Sequence, residues 1–161
     1  GFLFIFRFST GDNVAAARMF VGLSTSQAAP TNVEPDTLVN SIGIAKLSGS
    51  ANMQIVFAGS STQAAIDLGA NFPASGADAD LYELILFSDP NDNSQIYYRV
   101  ERNPNGPSNN FVASGAIANT TPGTTLPATS TLLGVRWWRW NNATASAVTI
   151  NIASIVRISD N

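Results

Sequence analysis

The stretch Phe2-Leu3-Phe4-Ile5-Phe6-Arg7-Phe8 decides the fold. At the period-two spacing of an extended strand, Phe2, Phe4, Phe6 and Phe8 share one face and Leu3, Ile5 and Arg7 the other, because successive side chains point to opposite sides. Both faces are largely apolar. Such a strand lies inside a sheet covered on both sides, or packs its outer face against another subunit. The far end of the chain repeats the pattern. There Ile150, Ile152, Val156 and Ile158 fall on one side, and Thr149, Asn151, Ala153, Ile155 and Arg157 on the other.

Between these two strands, apolar runs of strand length recur, separated by clusters of Gly, Pro, Asn, Asp and Ser, and few windows show the i, i+3, i+4 spacing of a helix. The runs are Phe2 to Phe8, Arg18 to Leu23, Ile42 to Leu47, Met53 to Ala58, Leu81 to Ser88, Ile96 to Arg102, Phe111 to Ile117, Leu132 to Trp140 and Val148 to Ile158. One short helical segment is expected after Pro35, across Asp36 to Asn40, with proline at its start. No βαβ rhythm is present, so the expected fold is all-β: an antiparallel two-sheet β-sandwich, jelly-roll-like. The chain has 161 residues, which against about 150 residues per domain makes 1–161 a single domain. Four connections, 24–41, 59–80, 103–110 and 119–130, are long, polar and punctuated by proline, as functional loops often are.

Composition narrows the chemistry. The chain is 45% hydrophobic and only 12% charged, with Lys+Arg 8, Asp+Glu 11, no His and no Cys. That charged share is half the usual quarter or so, so solubility rests on Ser, Thr, Asn and Gly. Without His there is no imidazole base, and without Cys no thiolate nucleophile, disulfide or cysteine zinc site. The net charge of -3 and a single lysine, Lys46, leave no basic patch for phosphates, which argues against nucleic acid and anionic membranes as partners. The apolar opening lacks the basic flank and cleavage site of a signal peptide and is too short to span a bilayer. A chain opening directly on a strand without Met is expected to continue a longer polypeptide, while the polar end at Ile158 to Asn161 fits a C-terminus. The sequons at Asn119 and Asn142 arise easily by chance in an Asn- and Thr-rich chain.

The stretch Arg18-Met19-Phe20-Val21-Gly22-Leu23-Ser24, followed by Pro30 and by Glu34-Pro35-Asp36-Thr37-Leu38-Val39-Asn40-Ser41-Ile42-Gly43, resembles a pattern in distal domains of bacteriophage tail fibres and related virion proteins. Asn52 to Phe57, Asp67-Leu68-Gly69 with Phe72-Pro73, and Arg139-Trp140-Asn141-Asn142 extend that resemblance over most of the chain. It implies a C-terminal β-sandwich of a homotrimeric fibre or spike, outside the virion, used for host-surface attachment or for capping the trimer. It carries no catalytic motif and implies no cofactor.

Two constellations fit a glycan partner such as a bacterial surface polysaccharide. Arg136-Trp137-Trp138-Arg139-Trp140-Asn141-Asn142 holds all three tryptophans. On a strand Trp138 and Trp140 share a face with Arg136, opposite Trp137, Val135 and Arg139. Outward indoles would cover the apolar face of a pyranose while Arg136, Arg139, Asn141 and Asn142 bond its hydroxyls. Alternatively, Trp137 fills the core and the other two pack on a neighbouring subunit or beneath a loop. The second constellation is Tyr97, Arg99 and Glu101, outward on a strand whose Ile96, Tyr98 and Val100 face in. It suits hydroxyl recognition or ordinary cross-strand pairing.

A glycosidase would need two carboxylates about 5 to 10 Å apart in a cleft, for which Glu83 with Glu101, or Asp78 with Asp80, are the candidates. Asp89, Asn91, Asp92 and Asn93, in the run from Ser88 to Ser94, are oxygen donors of the kind Ca²⁺ takes, but lack the spacing of an EF-hand and equally form an ordinary turn. Gly59-Ser60-Ser61-Thr62 has no following lysine or helix and is not a phosphate loop. The expectation is thus a non-catalytic attachment domain. A purely structural virion module, and a carbohydrate-active enzyme or non-viral carbohydrate-binding module, stand as the alternatives.

Overall fold

The structure is a computed structural model and describes residues 1–76, 79–104 and 110–159. Ten strands form it: β1 (Phe2–Thr10), β2 (Arg18–Ser24), β3 (Ser41–Lys46), β4 (Gln54–Ala58), β5 (Ile66–Asp67), β6 (Asp80–Ser88), β7 (Gln95–Pro104), β8 (Phe111–Ala118), β9 (Gly134–Trp140) and β10 (Ile150–Ser159). A single 3-10 turn, Pro35–Thr37, stands where the helical segment is expected, with Pro35 at its start. Nine of the ten strands coincide with runs read from the sequence. The two-residue β5 does not, because pairing with Gln54 and Ile55 of β4, rather than alternation, makes it a strand.

The first sheet has the order β10-β1-β6-β7-β8 and the second β5-β4-β3-β2-β9, all pairings antiparallel. The fold is therefore the expected all-β sandwich. The nested pairs β1–β10 and β2–β9 alternate between the sheets as in a jelly roll, while β3 to β5 and β6 to β8 run as meanders. The core lies between the sheets. Phe4, Phe6 and Phe8 are fully buried there with Met19, Val21, Ile42, Ile44 and Ile55. At about 1.5–3 kcal/mol for each large side chain removed from water, this face of β1 is a principal source of stability. Phe6 to Phe8 and Phe4 to Phe6 are both 6.0 Å between ring centroids.

One expectation about β10 is corrected. Its pairing with β1 shifts by one residue between Arg7 and Phe8, so that Arg7 faces Ser154 while Phe8 faces Ile152. A bulge of this kind moves every later side chain to the other face. Ile150 and Ile152 consequently point to the core side with Ile155 and Arg157, whereas Val156 and Ile158 point outward beside Ile5 and Leu3. Ile150 and Ile152 thus share a face with Ile155 rather than with Val156 and Ile158.

The middle of the second sheet is drawn tight at a facing glycine pair, Gly22 and Gly43. A Cβ on Gly22 would sit 2.2 Å from the carbonyl oxygen of Ile42, and one on Gly43 2.3 Å from that of Val21. These outward positions accept only glycine, and the surface above them is free for other chain to cross.

Candidate functional site

Three cross-strand rows of outward side chains run across the full width of the first sheet, because directly paired residues share a face. Ile158, Leu3, Phe87, Tyr97 and Ala116 make the first, and Val156, Ile5, Ile85, Arg99 and Ser114 the second. Ser154, Arg7, Glu83, Glu101 and Val112 make the third. Across these rows the surface grades from apolar groups to charge, and Leu81, 39% exposed and paired with Asn103, lies beyond the charged row. Phe87 stacks on Tyr97 at 4.9 Å, and Gln95 donates to the Tyr97 hydroxyl. Arg99 lies 2.7 Å from Glu101 and 3.9 Å from Glu83, Arg7 pairs with Glu83, and Asn110 donates to Glu101 at 2.7 Å. The expected Tyr97, Arg99 and Glu101 face therefore exists, with Tyr98 and Val100 turned into the core. Glu83 and Glu101 are direct cross-strand neighbours with arginine bonded to both. They stand on an open sheet face as members of a charge-paired network. Asp78 lies outside the described residues, and Asp80 is 5% exposed and bonded to Arg102 at 2.8 Å.

The outer face of the second sheet is built differently. Phe20, Ala45, Val56 and Trp138 form a buried cluster of their own, joined by Leu38, Ala65 and Trp140. Segment 25–40 crosses above it. Its anchors are Glu34, which accepts Arg18 Nε at 2.7 Å and the Ser48 backbone N–H at 3.0 Å as well as the Ser48 hydroxyl, and Ala28, whose carbonyl accepts Arg136 Nη2 at 2.8 Å. Trp138 is 7% and Arg136 8% exposed, and burial pushes the Arg136 pKa down. Buried Trp138 Nε1 and Arg136 Nη1 have no partner among the described residues. Trp137 faces the core side, 5.9 Å from Phe6, yet is 42% exposed because β9 is an edge strand.

The other residues of this constellation shape the same end of the fold. Arg139 turns toward the sandwich interior and clamps Asp12 through two bonds of 2.7 and 2.8 Å. Asp12 also accepts the backbone N–H of Thr149 and of Val14. Burial works against the Asp12 carboxylate, and these bonds outweigh it and hold its pKa below the usual value. Asn141 closes the β9–β10 turn by donating to the carbonyls of Thr144 and Ser146 and accepting from Ala143 N–H. Asn142 and Ala143 take left-handed backbone angles there, with φ of 52° and 59°. The two glycan constellations expected from sequence are therefore not one site: they lie on opposite outer faces of the sandwich.

In the β6–β7 turn, Asp89 Oδ1 caps the N–H of Asn91 and Asp92 Oδ1 that of Ser94, both at 2.8 Å. Those oxygens act in Asx turns, and Asp92 is held below the usual carboxylate pKa by its bonds to Ser94. Among the described residues no three or more His, Cys, Asp or Glu side chains group where they could hold a metal ion, and no helix is long and apolar enough to cross a membrane.

Three residues with structural work went unread in the sequence: Asp12, Glu34 and Lys46. Lys46 is 1% exposed and its ammonium donates to the carbonyls of Ala15, Leu47 and Ser50 at 2.6, 3.1 and 3.0 Å. Burial, with Arg139 nearby, brings its pKa down to about 8. Its being the only lysine in the chain was the available signal. Compared with protein families, curated proteins and solved structures, the chain matches none.

Proposed function

We propose that this chain is a non-catalytic virion attachment domain, the tip module of a bacteriophage tail fibre or spike, which assembles as a homotrimer and meets a bacterial surface glycan outside the virion. The observation that carries the reading is the bare outer face of the first sheet with its open edge strand. Ile158 is 55%, Val156 42% and Phe87 39% exposed on that face, and Ile152 and Ile155 are 40% and 39% exposed on the other side of β10. An edge strand of ten residues, apolar on both faces, invites pairing and burial, and further copies of the same chain supply both. The charged end of the face, Arg7, Glu83, Arg99 and Glu101 beside Tyr97, stays polar enough to meet sugar hydroxyls.

The covered Trp138 and Arg136 favour a second reading, a purely structural module that caps or decorates the trimer, since their indole and guanidinium pack the chain's own surface. Sedimentation of the purified chain at micromolar concentration, with binding to a panel of bacterial surface polysaccharides, tests the proposal. A trimer that binds polysaccharide is expected. A trimer that binds none transfers the chain to the structural reading, and a monomer removes the fibre reading.

A further inference from the structure

The arginines of the second sheet are not equally provided for. Arg18 pairs with Glu34 and Arg139 with Asp12, each at 2.7 Å, whereas Arg136, only 8% exposed, has no carboxylate beside it among the described residues. Its Nη2 donates to the Ala28 carbonyl at 2.8 Å, and its Nη1 is buried without a partner. A buried charge is ordinarily paired, and a donor shut away from water without an acceptor costs its desolvation. The closed arrangement over Arg136 therefore carries a cost that hydration would remove.

The shelter comes from above the sheet. In its cross-strand row Arg136 stands beside Gly22 and then Gly43, which have no side chains to cover it. Residues 25–33 do so instead: the Ala28 carbonyl caps the guanidinium, and a Cβ on Gly134 of the same strand would sit 2.8 Å from Gln27 Nε2. None of residues 25–33 is buried. Beyond their local turn on Ser24, their described hydrogen bonds to the rest of the fold are those of Thr25 N–H to the Asn40 carbonyl at 3.1 Å, of Arg136 to Ala28, and of Arg18 Nη1 to the Asn32 amide oxygen. The residues on either side are held firmly. Ser24 is in β2 and fully buried, while Glu34 binds Arg18 and Ser48, Pro35 is buried and Leu38 packs on the Phe20–Trp138 cluster. A stretch with few buried contacts between fixed ends is where local opening is cheapest.

We propose that residues 25–33 form a flap that lifts from β9 between fixed ends at Ser24 and Glu34, uncovering the Arg136 guanidinium while the sandwich stays folded. Lifting exchanges the bonds at Ala28 and Asn32 for water and hydrates Nη1, so the cost of the closed state works in favour of opening. The open flap turns a sheltered cation outward on the face opposite Tyr97, Arg99 and Glu101. This inference is independent of the attachment reading.

Modification of the whole chain with phenylglyoxal, mapped by mass spectrometry, tests it. Arg139 is the internal reference, since its side chain is 1% exposed and clamped to Asp12, so that it reacts only when the sandwich unfolds. Arg136 is expected to react at least tenfold faster than Arg139. Asn32→Ala, at an exposed position of the flap, should speed Arg136 about fivefold, the worth of one hydrogen bond of about 1 kcal/mol. Continued protection of Arg139 in that variant shows that it is folded. Reaction of Arg136 and Arg139 in step would overturn the flap, because both would then await unfolding. A fast Arg136 that Asn32→Ala leaves unchanged would overturn it as well, because the reagent would then be reaching the closed state.

Discussion

The two outer faces of the sandwich carry similar residues and end up differently. On the second sheet Phe20, Ala45, Val56 and Trp138 lie beneath the chain's own segment 25–40 and are at most 7% exposed. On the first, Leu3, Ile5, Ile85, Phe87, Val156 and Ile158 have no such cover among the described residues. The difference lies in the connections. The link from β2 to β3 is long enough to fold back over its sheet, and carries Glu34 to bind Arg18 and Ser48 and Leu38 to reach the cluster. The β6–β7 turn spans only residues 89–94, too short to return across the first sheet. An apolar outward stripe therefore becomes a second core where a loop closes it and stays an exposed apolar surface where none does.

The comparison breaks most visibly under truncation. Trp138→Ala should destabilise the chain by about 3–5 kcal/mol through the cavity beneath segment 25–40, whereas Phe87→Ala should cost about 1 kcal/mol, roughly the worth of its stack on Tyr97. Paired denaturant titrations check this, and equal losses would show that both faces are closed to the same degree. Lys46→Met comes next. It leaves the carbonyls of Ala15, Leu47 and Ser50 without their ammonium donor and should cost about 1.5–3 kcal/mol, the worth of a hydrogen bond to a charged group, measured in the same way.

The smallest effect is that of pH on the covering segment. Glu34 is opposed by burial but held below its ordinary pKa of 4.5 by its bonds to Ser48 and Arg18. A depressed carboxylate stabilises the fold above its unfolded pKa, and that stabilisation is lost as pH falls through the folded value. Tryptophan emission should accordingly shift to the red on acidification below about pH 4.5, reporting exposure of Trp138. Glu34→Gln should flatten the transition and cost less than about 1 kcal/mol at neutral pH, as expected for a partly exposed pair.

Period-two reading was enough for the sandwich, for the inward and outward faces of β7 and for sorting β1 and β9 into two faces each, because those strands alternate without interruption, but it left open which face of β9 is core. It failed at β10, where the one-residue shift opposite Arg7 and Phe8 leaves no trace in composition. For the candidate site it placed Tyr97, Arg99 and Glu101 together on an exposed face. It could not place them relative to Trp138 and Trp140, since which sheet a strand joins is decided by long-range pairing rather than by its own pattern. Nor could it show that Arg139 would turn inward to Asp12.

The bare face of the first sheet and its edge strand are the proposed interface between copies. Sedimentation of the intact chain beside its Val156→Glu variant tests this most directly, because Val156 is 42% exposed and makes no part of the core cluster. A wild-type trimer and a folded monomeric variant are predicted. A wild-type monomer, or a trimer that survives the substitution unchanged, would contradict it.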